Sequence, residues 1–364
     1  MTTELISSAN ELTPEWLTEL LRSSGDLDAS TSVASTEVSA FGSDESMMSA
    51  LHRVVMTFDG PTDAPTSLIV KLTSENEGAR FIAAMFQLYG REIRFYNDLL
   101  PRVSINTARC LLAEMYPDDQ GFILVLEQVE GCRQVDQIEG MNFDDAVSTV
   151  EALADLHAPF WGADLSEFAD TILPFDCDLV KQGLPMKTAA DWDKVRDVEA
   201  SRLLPEVVAI FDHVAKVVPL AIDDVMSTNT IVHADCRADN LLFRPDGSVV
   251  MLDFQLMGIG NGMFDVAYLV SQSLDSAAQG RAGELVDAYI ARVQSHGIEV
   301  DLEEATAAYR GSVVFNLGLP MSVLATEGLP DRGIELAHTM LERAGREVLR
   351  TNAHEHYLNS PEEK

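Results

Sequence analysis

Ile231-Val-His-Ala-Asp-Cys-Arg-Ala-Asp-Asn-Leu-Leu-Phe243, followed by Leu252-Asp-Phe-Gln255, is the stretch that decides how this 364-residue chain is read. Asp235 and Asn240 lie five apart in a polar loop, and Asp253 ends a second apolar run. Between the runs, Arg244-Pro-Asp-Gly-Ser248 predicts a tight hairpin turn in which Gly247 takes positive φ. Such a hairpin would gather the three oxygen-bearing side chains. Asn240 and Asp253 then suit Mg²⁺, a hard cation that takes a few protein oxygens and completes its shell with substrate phosphates. Asp235 is left to act as the base. Phosphoryl transfer from ATP needs that division of labour, because its barrier falls mainly through positioning and charge neutralisation.

A chain of this length fits one large domain or two lobes with a sizeable core. The formal net charge is −34, from 59 acidic and 25 basic residues. Such a field repels polyanions, which argues against a nucleic-acid or anionic-membrane partner; a cationic or neutral small acceptor is easier to accommodate. The same excess also serves solubility in a salty cytosol. Cys110, Cys132, Cys177 and Cys236 are scattered without a C-x-x-C spacing, so neither a disulfide scaffold nor a zinc site is signalled. The opening Met1-Thr-Thr-Glu-Leu5 lacks a basic region before an apolar stretch, and no apolar run approaches a bilayer span. The resulting expectation is a cytoplasmic protein with no membrane partner; nothing in the sequence indicates its oligomeric state.

Thr13-Pro14-Glu15-Trp16 reads as a helix start, with Thr13 the cap. Thr36–Phe41, Leu51–Phe58 and Ser67–Leu72 read as antiparallel strands, and Gly121–Leu126 as a short buried one. From Glu75 to Leu100 apolar residues recur at helical spacing, with Gly90 the expected break. Beyond Gly131 amphipathic helical stretches dominate, including Asp144–His157, Trp192–Val217, Phe264–Leu274, Ala278–Ser295, Leu302–Leu324 and Arg332–Thr351. The tail His354–Lys364 is expected to fray. The lobe boundary falls after the buried strand, giving 1–130 and 131–364.

His233-x-Asp235-x4-Asn240 followed by Asp253 resembles the catalytic and metal-binding motifs of kinase-like small-molecule phosphotransferases, which include aminoglycoside phosphotransferases and choline kinases. Further matches spread from about Gly42 to Leu274. Arg91-Glu-Ile-Arg-Phe-Tyr96 and Leu153-Ala-Asp-Leu-His-Ala-Pro-Phe-Trp161 look closest to the ecdysteroid-kinase-like branch. The family usually has Gly where this chain has Ala234. Protein kinases carry Arg at the equivalent place, so a Cβ there is sterically tolerable. The resemblance implies an α+β, two-lobed, protein-kinase-like fold, with a small antiparallel β-rich N-lobe that binds nucleotide and a larger helical C-lobe that carries the catalytic loop and acceptor pocket.

The resemblance also distributes roles. Lys71 falls where a family member holds the α- and β-phosphates of ATP, and Glu92 is its expected ion-pair partner, with Glu75 and Glu77 as competitors. Gly42-Ser-Asp-Glu-Ser46 occupies the place of a phosphate loop, where backbone N–H groups with the Ser43 and Ser46 hydroxyls would cover the phosphates; an ordinary hairpin loop is the plain alternative. Glu127-Gln128-Val129 matches the place where the adenine edge is read through backbone groups. His157 reads as a core or interlobe histidine, and His233 as a brace for the catalytic loop beside Asp235. Arg237 either neutralises phosphate charge or leans on Asp239. Asp265 reads as a helix cap, and the resemblance adds an anchoring role beneath the loop. The expected activity is phosphorylation of a small-molecule hydroxyl using ATP and Mg²⁺, with a neutral apolar alcohol favoured over an aminoglycoside-type acceptor. The alternatives are a pseudokinase-like binding module without turnover and, last, a metal-dependent hydrolase built on His233-x-Asp235.

Overall fold

The computed structural model describes residues 5–41, 48–117 and 121–360. The chain forms two compact units, Met1–Arg102 with Asn106–Gly131, and Val103–Ile105 with Cys132–Lys364.

The first unit is built on an antiparallel sheet of β1 (Val33–Ala40), β2 (Ser49–Phe58), β3 (Ser67–Thr73), β4 (Cys110–Met115) and β5 (Phe122–Glu127), in the order β1-β2-β3-β5-β4. Phe122 to Leu126 are buried throughout, as a continuous apolar run between two neighbouring strands should be. Helix α1 (Pro14–Ser23) starts where Thr13 Oγ1 accepts the Trp16 N–H at 3.3 Å. Its Trp16, Leu17, Leu20 and Leu21 join Val54, Met56, Val70, Leu72, Ile123 and Val125 in one core. Side chains alternate across a strand, so Lys71 is turned away from the face of Val70 and Leu72. On that opposite side lies α3 (Leu88–Arg94), which follows α2 (Glu77–Met85) in the chain and whose Tyr89 stacks on Phe122 with ring centroids 4.2 Å apart.

The break between α2 and α3 falls at Gln87, which adopts φ 56°, and not at Gly90, which lies inside α3. The two helices bury different stripes: Phe81, Ile82 and Met85 of α2 are exposed, whereas Leu88, Tyr89 and Ile93 of α3 are buried. A single helix cannot hold both in phase.

In the second unit two small antiparallel sheets frame the loops of interest. Strand β7 (Thr230–Val232) pairs with β10 (Gly258–Gly260), and β8 (Leu241–Phe243) pairs with β9 (Val249–Met251) and with β6 (Arg133–Gln134). The β8–β9 hairpin turns at Gly247, φ 84°. Residues 233–240 therefore run from β7 to β8, and residues 252–257 from β9 to β10. Around them pack α4 (Phe143–His157), α5 (Asp178–Lys181), α6 (Gly183–Glu199), α7 (Pro205–Asp212), α8 (Val214–Val225), α9 (Met263–Gln272), α10 (Ser276–Gln279), α11 (Ala282–Ser295), α12 (Leu302–Phe315), α13 (Gly318–Leu324), α14 (Asp331–Thr351) and α15 (Ala353–Asn359).

Three expected stretches are corrected. Trp192–Val217 divides among α6, α7 and α8, because Pro205 lacks an N–H and holds Leu204 extended (φ −62°, ψ 141°) at the start of α7. Leu302–Leu324 divides between α12 and α13, and Pro320 sits in the first turn of α13. The tail is ordered into α15: Tyr357 is buried and its hydroxyl donates to Asp224 Oδ2 at 2.5 Å, while Lys216 Nζ donates to the Leu358 carbonyl at 2.8 Å. Residues 361–364 lie outside the described chain. Among the described residues no helix is long and apolar enough to cross a membrane, and all four cysteines are free.

Candidate active site

Strand pairing fixes the first group. Lys71 sits within β3, paired with Leu51 on one side and Leu124 on the other, rather than at a solvated strand end. Its Nζ lies 2.7 Å from Glu92 Oε1, and the two side chains are 8% and 2% exposed. Of the competing acids, Glu77 pairs instead with Arg80 at 4.0 Å on the surface. At the end of β5 the Glu127 N–H donates to the Arg109 carbonyl at 2.9 Å and the Gln128 N–H to the Ser67 carbonyl at 3.1 Å. The Gln128 side chain is taken up as well, its Oε1 accepting from Ser67 Oγ at 2.5 Å and Arg53 Nε at 2.8 Å. Of these three residues, Val129 is left as the backbone N–H donor without a partner among the described residues. Gly42, Ser43 and Ser46 lie outside the described residues.

The second group is held by buried polar bonds around the loop 233–240. Asp235 is 3% exposed. Its Oδ1 accepts from the Tyr268 hydroxyl at 2.8 Å, and its Oδ2 accepts from Asn240 Nδ2 at 2.8 Å. The same Nδ2 donates to the Asp235 carbonyl at 2.9 Å, which leaves Asn240 Oδ1 as that side chain's acceptor atom. Arg237 Nε stands 3.6 Å from Asp235 Oδ1, too long for a hydrogen bond, and it is with Asp235 rather than Asp239 that Arg237 pairs. The Asp235 charge raises the Arg237 guanidinium further above its usual range. Cys236 is inert by environment: burial pushes its thiol well up, and the neighbouring Asp265 and Asp235 charges add to this.

His233 is fully buried, and both ring nitrogens are engaged. Nδ1 accepts from the Asp235 N–H at 3.3 Å, so Nε2 carries the proton and donates to the Leu252 carbonyl at 3.0 Å. The ring thus ties the loop to the residue before Asp253, and the Leu252 N–H donates back to the Asn240 carbonyl at 2.9 Å. Its ring packs 4.8 Å from that of Phe254. A metal ligand needs a free ring nitrogen, and this imidazole has none to give. Asp253 takes φ 64°, a left-handed conformation that a short polar side chain tolerates, and its Oδ2 accepts from Gln255 Nε2 at 3.3 Å.

Ala234 also lies at positive φ, 60°. Its N–H donates to Asp265 Oδ1 at 2.8 Å, and the His233 N–H donates to Asp265 Oδ2 at 2.6 Å. Asp265 is therefore no cap for its own helix; it is wholly buried in the first turn of α9 and clamps the loop backbone. His157 Nε2 stands 3.0 Å from the same carboxylate, with the Tyr289 hydroxyl 2.8 Å from His157 Nδ1, which makes His157 a core residue bracing the clamp. Gly262 lies against this pair: a Cβ there would stand 2.0 Å from the Tyr289 hydroxyl and 2.7 Å from His157 Nδ1. On the loop's far end Gln137 Oε1 accepts the Ala238 N–H at 2.7 Å, while its Nε2 donates to the Gln272 carbonyl at 2.9 Å.

Tyr268, Tyr289 and Gln137 are absent from the sequence reading. Tyr268 had a signal: it follows Asp265 by three positions on an expected helix, so the two share a face. Tyr289 and Gln137 act across long sequence separations, and a single sequence carries no mark of such pairs. Among the described residues no cluster of three or more His, Cys, Asp or Glu is placed to hold a metal. A site for Mg²⁺ made of one carboxylate, one amide oxygen and substrate phosphates needs no such cluster, and Asp253 and Asn240 are a carboxylate and an amide of the kind it would use.

The chain can be set beside known proteins. It shares its fold with a choline kinase from Cryptosporidium parvum Iowa II (TM-score 0.55, 12% identity, covering 93% of this chain and 97% of that one). It does so as well with wild-type aminoglycoside 2'-phosphotransferase-IIIa in its GDP complex (TM-score 0.51, 16% identity, 93% and 99%). A stretch of 66 residues is 39% identical to the probable acyl-CoA dehydrogenase IBR3 of Arabidopsis thaliana, taking in 18% of this chain and spanning only 8% of that protein. The sequence profile of the phosphotransferase enzyme family matches residues 62–305, and the chain belongs to that family.

Proposed function

We propose that this protein is an ATP- and Mg²⁺-dependent cytoplasmic kinase that phosphorylates a hydroxyl of a small molecule. The observation that carries the proposal is the Asp235–Asn240 pair: one amide holds the base by its nitrogen and keeps its oxygen for a cation, on a loop whose backbone is clamped by Asp265. Asn240 and Asp253 would hold Mg²⁺, which when bound neutralises charge on the phosphate oxygens. Lys71, fixed by Glu92, binds the triphosphate; Val129 offers its N–H to the base edge, and Gly42, Ser43 and Ser46 would cover the phosphates. Asp235 orients the acceptor hydroxyl and takes its proton as the new oxygen–phosphorus bond forms and the bond to the ADP oxygen breaks. Arg237, beside Asp235, adds positive charge. His233 braces the loop and exchanges no proton. The first unit is thereby read as the nucleotide-binding one, and the second as carrying the catalytic loop and the acceptor pocket.

For the acceptor, a neutral and largely apolar alcohol is favoured, in keeping with the ecdysteroid-kinase-like segments Arg91–Tyr96 and Leu153–Trp161. Met186 on α6, Leu319 on α13 and Ile334 on α14 are exposed apolar side chains of the second unit. Binding without turnover is the second reading, prompted by Ala234 in a glycine-like conformation; the Asp265 clamp that supports it weighs against that reading. The deciding experiment follows nucleotide consumption with Mg²⁺ over a library of alcohols, sterols, choline-like amines and aminoglycosides, with Asp235→Asn as control. Acceptor-dependent consumption lost in the variant is expected. Nucleotide binding with no acceptor-dependent consumption across the library would establish the binding-only reading instead.

A further inference from the structure

We propose that Tyr268 is a positioning residue for phosphoryl transfer, fixing the plane of the Asp235 carboxylate from the rigid helix α9. This rests on the proposed role of Asp235 and extends it to a residue outside the loop motif. Tyr268 belongs to an apolar cluster with Phe175, Val225, Val232 and Phe264. Phenylalanine would serve packing there at lower cost, because a buried hydroxyl must find a partner. That hydroxyl makes one hydrogen bond among the described residues, the 2.8 Å bond to Asp235 Oδ1. The donor to the other oxygen, Asn240, comes from the same loop and moves with it, so Tyr268 is the donor that ties the carboxylate to the core.

Both groups that fix the loop from α9 sit on one face. Asp265 holds the backbone at His233 and Ala234, and Tyr268, three residues on, holds the Asp235 side chain. Two donors on two different oxygens leave the carboxylate no free rotation. Burial, reinforced by the Asp235 charge, pushes the Tyr268 phenol well above its usual range. It therefore remains a donor and takes no part in proton exchange.

The test measures phosphate transfer from Mg–ATP, to the acceptor found in the library or to water if none is found, for wild type, Asp235→Asn and Tyr268→Phe. Tyr268→Phe should lower kcat by about 10- to 100-fold, the scale of a misplaced reacting group, while KM for ATP stays within about twofold. 3-Fluorotyrosine at position 268, which keeps the ring and the donor, should retain near-wild-type turnover. The proposal is overturned if Tyr268→Phe turns over within about threefold of wild type while Asp235→Asn is inactive. It is equally overturned if kcat and KM worsen together and fluorotyrosine fails to preserve the rate, since that describes a purely structural residue. Equal rates for Asp235→Asn and wild type would instead remove the base assignment itself.

Discussion

Asp265 supports Ala234 in a conformation that alanine avoids: at φ 60° the Ala234 N–H donates to Asp265 Oδ1 at 2.8 Å. A left-handed alanine costs roughly 1–2 kcal/mol, and the buried carboxylate offsets this by satisfying two adjacent N–H groups. Asp265→Ala would leave both donors unpaired, the His233 N–H buried and the Ala234 N–H part-buried, a loss of roughly 2–3 kcal/mol. Urea unfolding should show it; a loss below about 1 kcal/mol would mean the clamp does not hold the loop. Ala234→Gly should be neutral or slightly stabilising, because relief of strain is opposed by about 0.4–1 kcal/mol of added unfolded-state entropy. Ala234→Val should be clearly worse than either.

Lys71 and Glu92 form a buried pair, so deleting one removes the other's ion pair in a site shielded from water. Glu92→Ala should cost about 3 kcal/mol or more, and the double change Lys71→Met, Glu92→Leu should recover part of that loss. In catalysis the single changes should be non-additive, because the glutamate acts through the lysine. A double-mutant cycle on kcat/KM with coupling near zero would separate the ion pair from nucleotide handling.

Asp235→Asn keeps the side-chain shape and loses the ability to accept a proton, so Mg–ATP binding should survive while transfer falls away. Asp253→Ala should instead remove the Mg²⁺-dependent part of ATP stabilisation, and transfer with it. Thermal-shift titrations with ATP, with and without Mg²⁺, distinguish the two. Unchanged Mg²⁺-dependent stabilisation in Asp253→Ala would relocate the metal.

Asp212 accepts from Arg196 Nε at 2.8 Å and Trp192 Nε1 at 2.7 Å, which together lower its carboxyl to about 2. A carboxylate depressed in the folded state stabilises above its unfolded value near 4, and that contribution is lost as pH falls from about 4 to about 2. Asp212→Asn should therefore show a flatter fall in melting temperature across that window than wild type. Parallel profiles would show that the pair contributes nothing there.

Much of the fold lay open in the sequence because its signals are local. The apolar run after Gly121, the capped start at Thr13 and the turn at Gly247 each report on a few consecutive residues. Helix ends were harder. Pro205 carried a break signal that the single expected stretch Trp192–Val217 passed over, whereas the left-handed turn at Gln87 lies between two helices that bury different faces and carried none. In the site, the spacing of Asp235 and Asn240 was legible as loop geometry, and the structure brings their side chains to 2.8 Å. The supports were not: Gln137 reaches Ala238 across 101 positions, and Tyr289 reaches His157 across 132.

Gly262 gives that support a vulnerable point. With no room for a Cβ beside Tyr289 and His157, any side chain there would part the hydroxyl from the imidazole and push the disturbance through Asp265 into the loop backbone. The tolerance of this loop to variation is thus governed by a residue that touches neither nucleotide nor acceptor in the proposed reaction. Variants selected for altered acceptors should change the helical surface freely and leave position 262 untouched.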